Sequence, residues 1–313
     1  MTTADDQSGS FGDRLASAVD GRRSAVVVGL DPDPERLWPA SGATPTPKGD
    51  IGPARVAAIA VADHCRRVLD ATADACVAVK LQSASFERLG APGLDALADV
   101  AAHARDAGLL VFVDAKRGDI DVSAASYAQA LLGGTSTPWG HVPGLDADAV
   151  TVAPYMGGDS IRPFIDEATP RGSGVFVLVR TSNPGAADLQ ERLMADGTPV
   201  WEHVARLVDA LGVDAAPDAA LSPVGAVVGA TAPERILRLR EVMPRTPFLL
   251  PGVGAQGGRV EDLAPAFAPG PGAALVTASR SIVGAGGGTA DHRAAAARDA
   301  AAALREQAAR LLG

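Results

Sequence analysis

The sequence predicts an α/β protein of the (β/α)8 barrel class, and three observations carry that expectation. Apolar runs of strand length recur along the 313 residues: SAVVVGL (24–30), CVAVKL (76–81), LLVFVD (109–114), DAVTV (148–152), GVFVLVR (174–180), VGAVVGA (224–230), PFLLPG (247–252) and AALVTA (273–278). They are apolar throughout instead of alternating, as parallel strands covered on both faces must be. Helical patterns separate them, for example 53–74, 93–108, 199–212 and 233–243. A strand-then-helix alternation fits a doubly wound sheet or a closed barrel, and a count of eight favours the barrel.

The remaining segments follow in order. FGDRLASAVDG (11–21) is an amphipathic helix ahead of the first strand, placed to plug the barrel floor, and an Ala-rich helix covers about residues 290–312. Two stretches rich in Pro, Gly and Ser, 39–53 and 133–146, read as long loops. No composition shift marks a boundary, so residues 1–313 read as a single domain with extra N-terminal and C-terminal helices.

Composition excludes several function classes. The formal charge is −9 and no Lys/Arg block stands out, which argues against nucleic acid. No window approaches the roughly 18 apolar residues of a membrane span, and MTTADDQSGS lacks the pattern of a signal peptide, so a cytoplasmic location is expected. Cys65 and Cys76 are the only cysteines, expected as packed, reduced thiols. His64, His103, His141, His203 and His292 are scattered without ligand spacing, and VGLDPDP stands where a dinucleotide fold would carry G-x-G-x-x-G.

In a barrel of this class, chemistry sits at the C-terminal ends of the strands. Asp31 ends the first run, Lys80 lies in the second, and Asp114 and Lys116 end the third. Arg180 and TSNPG follow the fifth, PGVGAQGG the seventh and ASRSI the eighth. Singly, each reads more readily as a turn or capping residue; together they converge on one mouth. Within VFVDAKRGDI (111–120), the strand period of two puts Asp114 and Lys116 on one face, where they should interact directly. Asp119 lies just ahead of a helical pattern, a natural N-cap position that is compatible with a place at the site. The glycines of PGVGAQGG permit close backbone approach to a ligand. Gln256 adds a neutral donor and Arg280 a planar fork suited to phosphate.

These motifs, VGLDP, VAVKL, DAKRGD, VAPYMGGDS, LVRTSNPGA, PGVGAQGG and ASRSI in that order, span nearly the whole chain. It resembles the orotidine 5′-phosphate decarboxylases of the longer bacterial subgroup. The resemblance implies a carboxy-lyase that converts orotidine 5′-monophosphate to uridine 5′-monophosphate without cofactor or metal, as the last step of de novo synthesis of that nucleotide. It implies Lys116 as proton donor and Asp114 beside the departing carboxylate. Asp31 and Lys80 then contact the ribose, Ser182 the pyrimidine edge, and Gln256 and Arg280 the phosphate. Thr181 and Asn183 offer groups similar to Ser182. It further implies a homodimer with shared active sites, in which Asp119 and the residues after it reach the partner's site; Ser123 stands where relatives often have threonine. Two rivals remain: a Mg²⁺-dependent sugar-phosphate lyase of the same barrel group, and a catalytically silent nucleotide-binding barrel. The lyase would need an added carboxylate near the second strand's end, and Glu87, seven residues after Lys80, lies too far along to serve.

Overall fold

The computed structural model describes residues 9–40, 52–254 and 257–312. Ten strands form among them: β1 Val26–Leu30, β2 Ala78–Gln82, β3 Leu110–Arg117, β4 Gly134–Thr137, β5 Gly140–Pro143, β6 Ala149–Val152, β7 Gly174–Arg180, β8 Val224–Val228, β9 Phe248–Pro251 and β10 Ala274–Ala278. Eight of them close a parallel barrel in the order β1-β10-β9-β8-β7-β6-β3-β2. The eight apolar runs are those strands, and helices alternate with them as the sequence predicts. β1, β6, β8 and β10 are buried along their whole length, which explains why none of them alternates.

The N-terminal helix Phe11–Arg22 is capped by Ser10, whose side chain accepts the Asp13 N–H while the Asp13 carboxylate returns to the Ser10 N–H. It seals the barrel floor. Phe11 lies 5.9 Å from Phe176 of β7 and 6.2 Å from Phe112 of β3, and those two rings lie 5.5 Å apart. Gly174 must be glycine here, because a Cβ would meet the Phe11 ring at 2.5 Å. The C-terminal helix runs Ala290–Ala309.

The segment 133–146 differs from the loop expected. Its β4 and β5 pair antiparallel as a hairpin, and the turn is tied by the Thr137 hydroxyl, which donates to the Gly140 carbonyl at 2.7 Å. Trp139 at its tip is 93% exposed. Of the other long loop, residues 41–51 lie outside the described residues. Cys65 and Cys76 are buried free thiols, and among the described residues no helix is long and apolar enough to cross a membrane.

Helix Pro53–Thr72 carries His64, whose ring packs edge-on against Trp38 and whose Nδ1 accepts the Trp38 backbone N–H at 3.1 Å. Burial first, then the charge of Arg67, pushes this imidazole from 6.5 down to about 4. The unfolded chain takes up the proton below 6.5 and the folded chain resists it until about 4, so protonation favours unfolding. Stability should therefore fall as pH drops across that window, by up to roughly 3 kcal/mol, and level off below it. His64→Asn keeps an acceptor for Trp38 and should flatten the dependence of the urea midpoint on pH; an unchanged slope would remove His64 as its source.

Candidate active site

The third barrel strand leaves regular pairing just where its charges begin. β3 pairs with β6 at Phe112–Ala149 and Val113–Val150, and next at Arg117–Val152. Asp114, Ala115 and Lys116 thus face Thr151 alone, as a bulge that re-aims side chains. Lys116 there has a φ of 47°, a left-handed conformation that costs a non-glycine residue about 1 kcal/mol or more. The expected Asp114–Lys116 contact forms, with Nζ 2.5 Å from Oδ1, but a bulge and not the period of a regular strand produces it.

Asp114 is the hub. Its other oxygen, Oδ2, accepts from Lys80 Nζ at 2.7 Å, and Oδ1 also accepts from the Thr151 hydroxyl at 2.8 Å. Burial alone would push this carboxyl up; the ammonium groups of Lys80 and then Lys116 outweigh it and hold the pKa down at about 2. Asp114 is therefore ionised at neutral pH, in a Lys80–Asp114–Lys116 chain. The Asp114 side chain is 8% exposed and that of Lys116 is 42% exposed, so Lys116 is the member most open to solvent.

The other expected residues divide between the mouth and its rim. Asp31, just past β1, accepts from the Ser279 hydroxyl at 2.7 Å, tying the first strand's loop to the last. Arg280 begins the short helix Arg280–Val283 and is exposed, and its side chain makes no hydrogen bond or ion pair among the described residues. It lines a cavity of about 440 Å³ together with Asp31, Ser279 and Arg293. Gln256 lies outside the described residues, while Gly252, Gly254 and Gly257 around it all have positive φ, the reason this loop needs glycine. Ser182 follows β7 and packs over Gly229, where a Cβ would come within 3.0 Å of it. Its neighbours are tied into a local knot: the Thr181 hydroxyl donates to Asn183 at 2.6 Å and accepts from Gln190 at 2.8 Å.

Asp119 and Ser123 do not join Lys116 within the chain. Helix Asp121–Leu132 begins two residues beyond Asp119 and has Ile120 at its N-cap position, so Asp119 is not the cap. Its Oδ1 instead accepts the Ile120 N–H at 2.8 Å. Ser123 is exposed in the first turn of that helix. Ile120 (46% exposed), Tyr155 (83%) and Met156 (42%) lie on the loops that follow β3 and β6, and Val122 (79%) lies in the first turn of helix Asp121–Leu132.

The family model for the orotidine 5′-phosphate decarboxylase / HUMPS family matches residues 24–297. The chain belongs to that family. It is 41% identical over 280 residues to the orotidine 5′-phosphate decarboxylase of Rhodopirellula baltica, with 88% of each chain covered. It is 40% identical over 298 residues to that of Deinococcus radiodurans, covering 95% of this chain and 96% of the relative. The solved structure of Leishmania donovani OMP decarboxylase superimposes with a TM-score of 0.69 at 32% identity, covering 97% of this chain and 98% of that one.

One feature of this decarboxylase-family site was not singled out in the sequence. Thr151 is the hydroxyl inside the run DAVTV, and a polar residue in a strand buried on both faces is itself the signal that would have found it. Glu87 is engaged by Arg117 and by the Ser83 hydroxyl. Burial pushes its carboxyl up, but Ser83 and Arg117 outweigh this and hold it below its ordinary value. Arg117 also lies over the Tyr127 ring at 5.2 Å. Among the described residues no three His, Cys, Asp or Glu side chains group in a way that could hold a metal ion.

Proposed function

We infer that this chain decarboxylates orotidine 5′-monophosphate to uridine 5′-monophosphate, with Lys116 as the acid that protonates C6. The observation that carries the assignment of roles is the Lys80–Asp114–Lys116 chain of charges at the barrel mouth. When the bond from C6 to the carboxylate breaks, CO₂ leaves and its bonding pair stays on C6 in the ring plane, where the ring cannot delocalise it. Stabilisation must be electrostatic. An ammonium already fixed by Asp114 meets that pair without solvent reorganisation, then transfers a proton from Nζ to C6. The lysine regains its proton from water. Ionised Asp114 stands beside the departing carboxylate. Reactions this slow call for about 10¹⁷-fold acceleration, or about 23 kcal/mol of barrier, which no single contact supplies. Binding energy from the remote phosphate orders the site.

Asp31 and Lys80 hold the ribose, Ser182 reads the pyrimidine, and Gln256 and Arg280 grip the phosphate. Asp119 and Ser123 serve the partner's site in a homodimer; the exposed apolar residues Ile120, Val122, Tyr155 and Met156 support burial of that rim against a second copy. Residues 1–313 act as one barrel domain, in the cytoplasm. Of the rivals, the lyase is disfavoured because Glu87 is committed to Arg117, and the silent barrel because Lys116 is in place and paired.

The test is the loss of substrate absorbance with EDTA present, with uridine 5′-monophosphate identified as product. Turnover that disappears with EDTA, or no turnover at all, would contradict the assignment. The phosphate grip has its own test. Arg280→Ala should weaken binding of uridine 5′-monophosphate about 30-fold, roughly 2 kcal/mol, and leave uridine within about twofold. Equal losses for both ligands would place the phosphate elsewhere.

A further inference from the structure

We propose that Thr151 is a positioning residue for the proton donor, a role that rests on the reading of Lys116 given above. Between the paired residues Val113–Val150 and Arg117–Val152, three residues of β3 face this one residue of β6. In a regular parallel ladder the Lys116 N–H would meet a backbone carbonyl. Here it donates to the Thr151 hydroxyl at 2.9 Å, and the same hydroxyl donates its own proton to Asp114 Oδ1 at 2.8 Å. Asp114 Oδ1 in turn holds Lys116 Nζ at 2.5 Å. The hydroxyl thus closes a loop that grips Lys116 at both ends, at its backbone directly and at its ammonium through Asp114.

The geometry constrains which side chains can do this. The site needs one group that accepts from an amide and donates to a carboxylate, within a strand whose other side chains are apolar. A hydroxyl does both. Valine has the same shape and does neither, while serine keeps both bonds and loses only a methyl group. Thr151 is 2% exposed, so water does not readily replace it. Without it the left-handed Lys116 loses the acceptor of its N–H, and the bulge is free to relax and carry the ammonium away from C6. Among the described residues the Thr151 side chain hydrogen-bonds only Lys116 and Asp114 and none of Asp31, Lys80 or Arg280, so ground-state binding should survive its loss.

The experiment compares Thr151→Val, Thr151→Ser and Lys116→Ala with the full-length wild type, measuring kcat and KM for orotidine 5′-monophosphate, the dissociation constant of uridine 5′-monophosphate, and Tm. Thr151→Val should lower kcat about 100-fold while KM and product binding stay within about threefold. Thr151→Ser should return kcat to within about fivefold of wild type. Three results would overturn the role while leaving Lys116 as donor: kcat for Thr151→Val near wild type when Lys116→Ala is inactive, serine as defective as valine, or kcat and product binding falling by the same factor. If valine does not fold, a serine variant that folds but turns over as slowly as Lys116→Ala overturns it, and one near wild type with product binding unchanged supports it. An active Lys116→Ala overturns the donor reading, and the positioning role with it.

Discussion

Lys116→Ala gives a folded protein that binds uridine 5′-monophosphate and has lost decarboxylation by on the order of 10⁴-fold or more. Folding survives because the Lys116 side chain is 42% exposed, and the carboxylate it leaves behind keeps its bonds to Lys80 and Thr151. Binding survives because the residues proposed for the ribose and the phosphate come from segments of the chain other than β3. Chemistry does not, because among the described residues no other ammonium is both paired with Asp114 and open to the mouth: Lys80 has only 12% of its side chain exposed and spends its charge on Asp114 Oδ2. The measurement is kcat from substrate absorbance beside a titration with the product. Activity within about tenfold of wild type would remove Lys116 from its role.

The second large effect is restoration of activity by mixing two inactive proteins. Asp119→Ala alone should fall about 10²–10⁴-fold. Asp119 lies past the bulge and a glycine, bonded only to its neighbouring Ile120 N–H among the described residues, on a rim where Ile120 and Val122 are exposed. In the proposed homodimer, C2 symmetry would carry that rim across to the partner and make two equivalent composite sites. A mixed dimer of Lys116→Ala and Asp119→Ala then holds one site with both lesions and one with neither. Random pairing recovers up to about a quarter of the wild-type activity per total site. Subunit exchange is verified by mass spectrometry of differently tagged chains. If exchange occurs and activity stays at the level of the separate variants, Asp119 acts within its own chain.

The barrel was legible because parallel strands covered on both faces must be apolar along their length, as β1, β6, β8 and β10 are. The hairpin of β4 and β5 was not. Its residues are exposed or half-buried on both faces, so no hydrophobic alternation marks it, and GGTSTPWGHVPG has the composition of a loop. Asp114 and Lys116 were legible as charges ending an apolar run, whereas the bulge that joins them was hidden, because it depends on how β3 registers against β6 and not on either sequence alone. For the same reason Thr151 passed as a strand-forming residue. The capping reading of Asp119 failed because the chain stays extended at Ile120 before turning into the helix.

The central claim is that Lys116 hands a proton to C6, and microscopic reversibility supplies its most direct test. A group that delivers that proton must also remove it from bound product. Uridine 5′-monophosphate incubated with the protein in D₂O should acquire deuterium at C6, followed by NMR, without any carboxylate being present. The account predicts exchange with wild type and none above background with Lys116→Ala saturated with product; exchange by Lys116→Ala at the wild-type rate would contradict it.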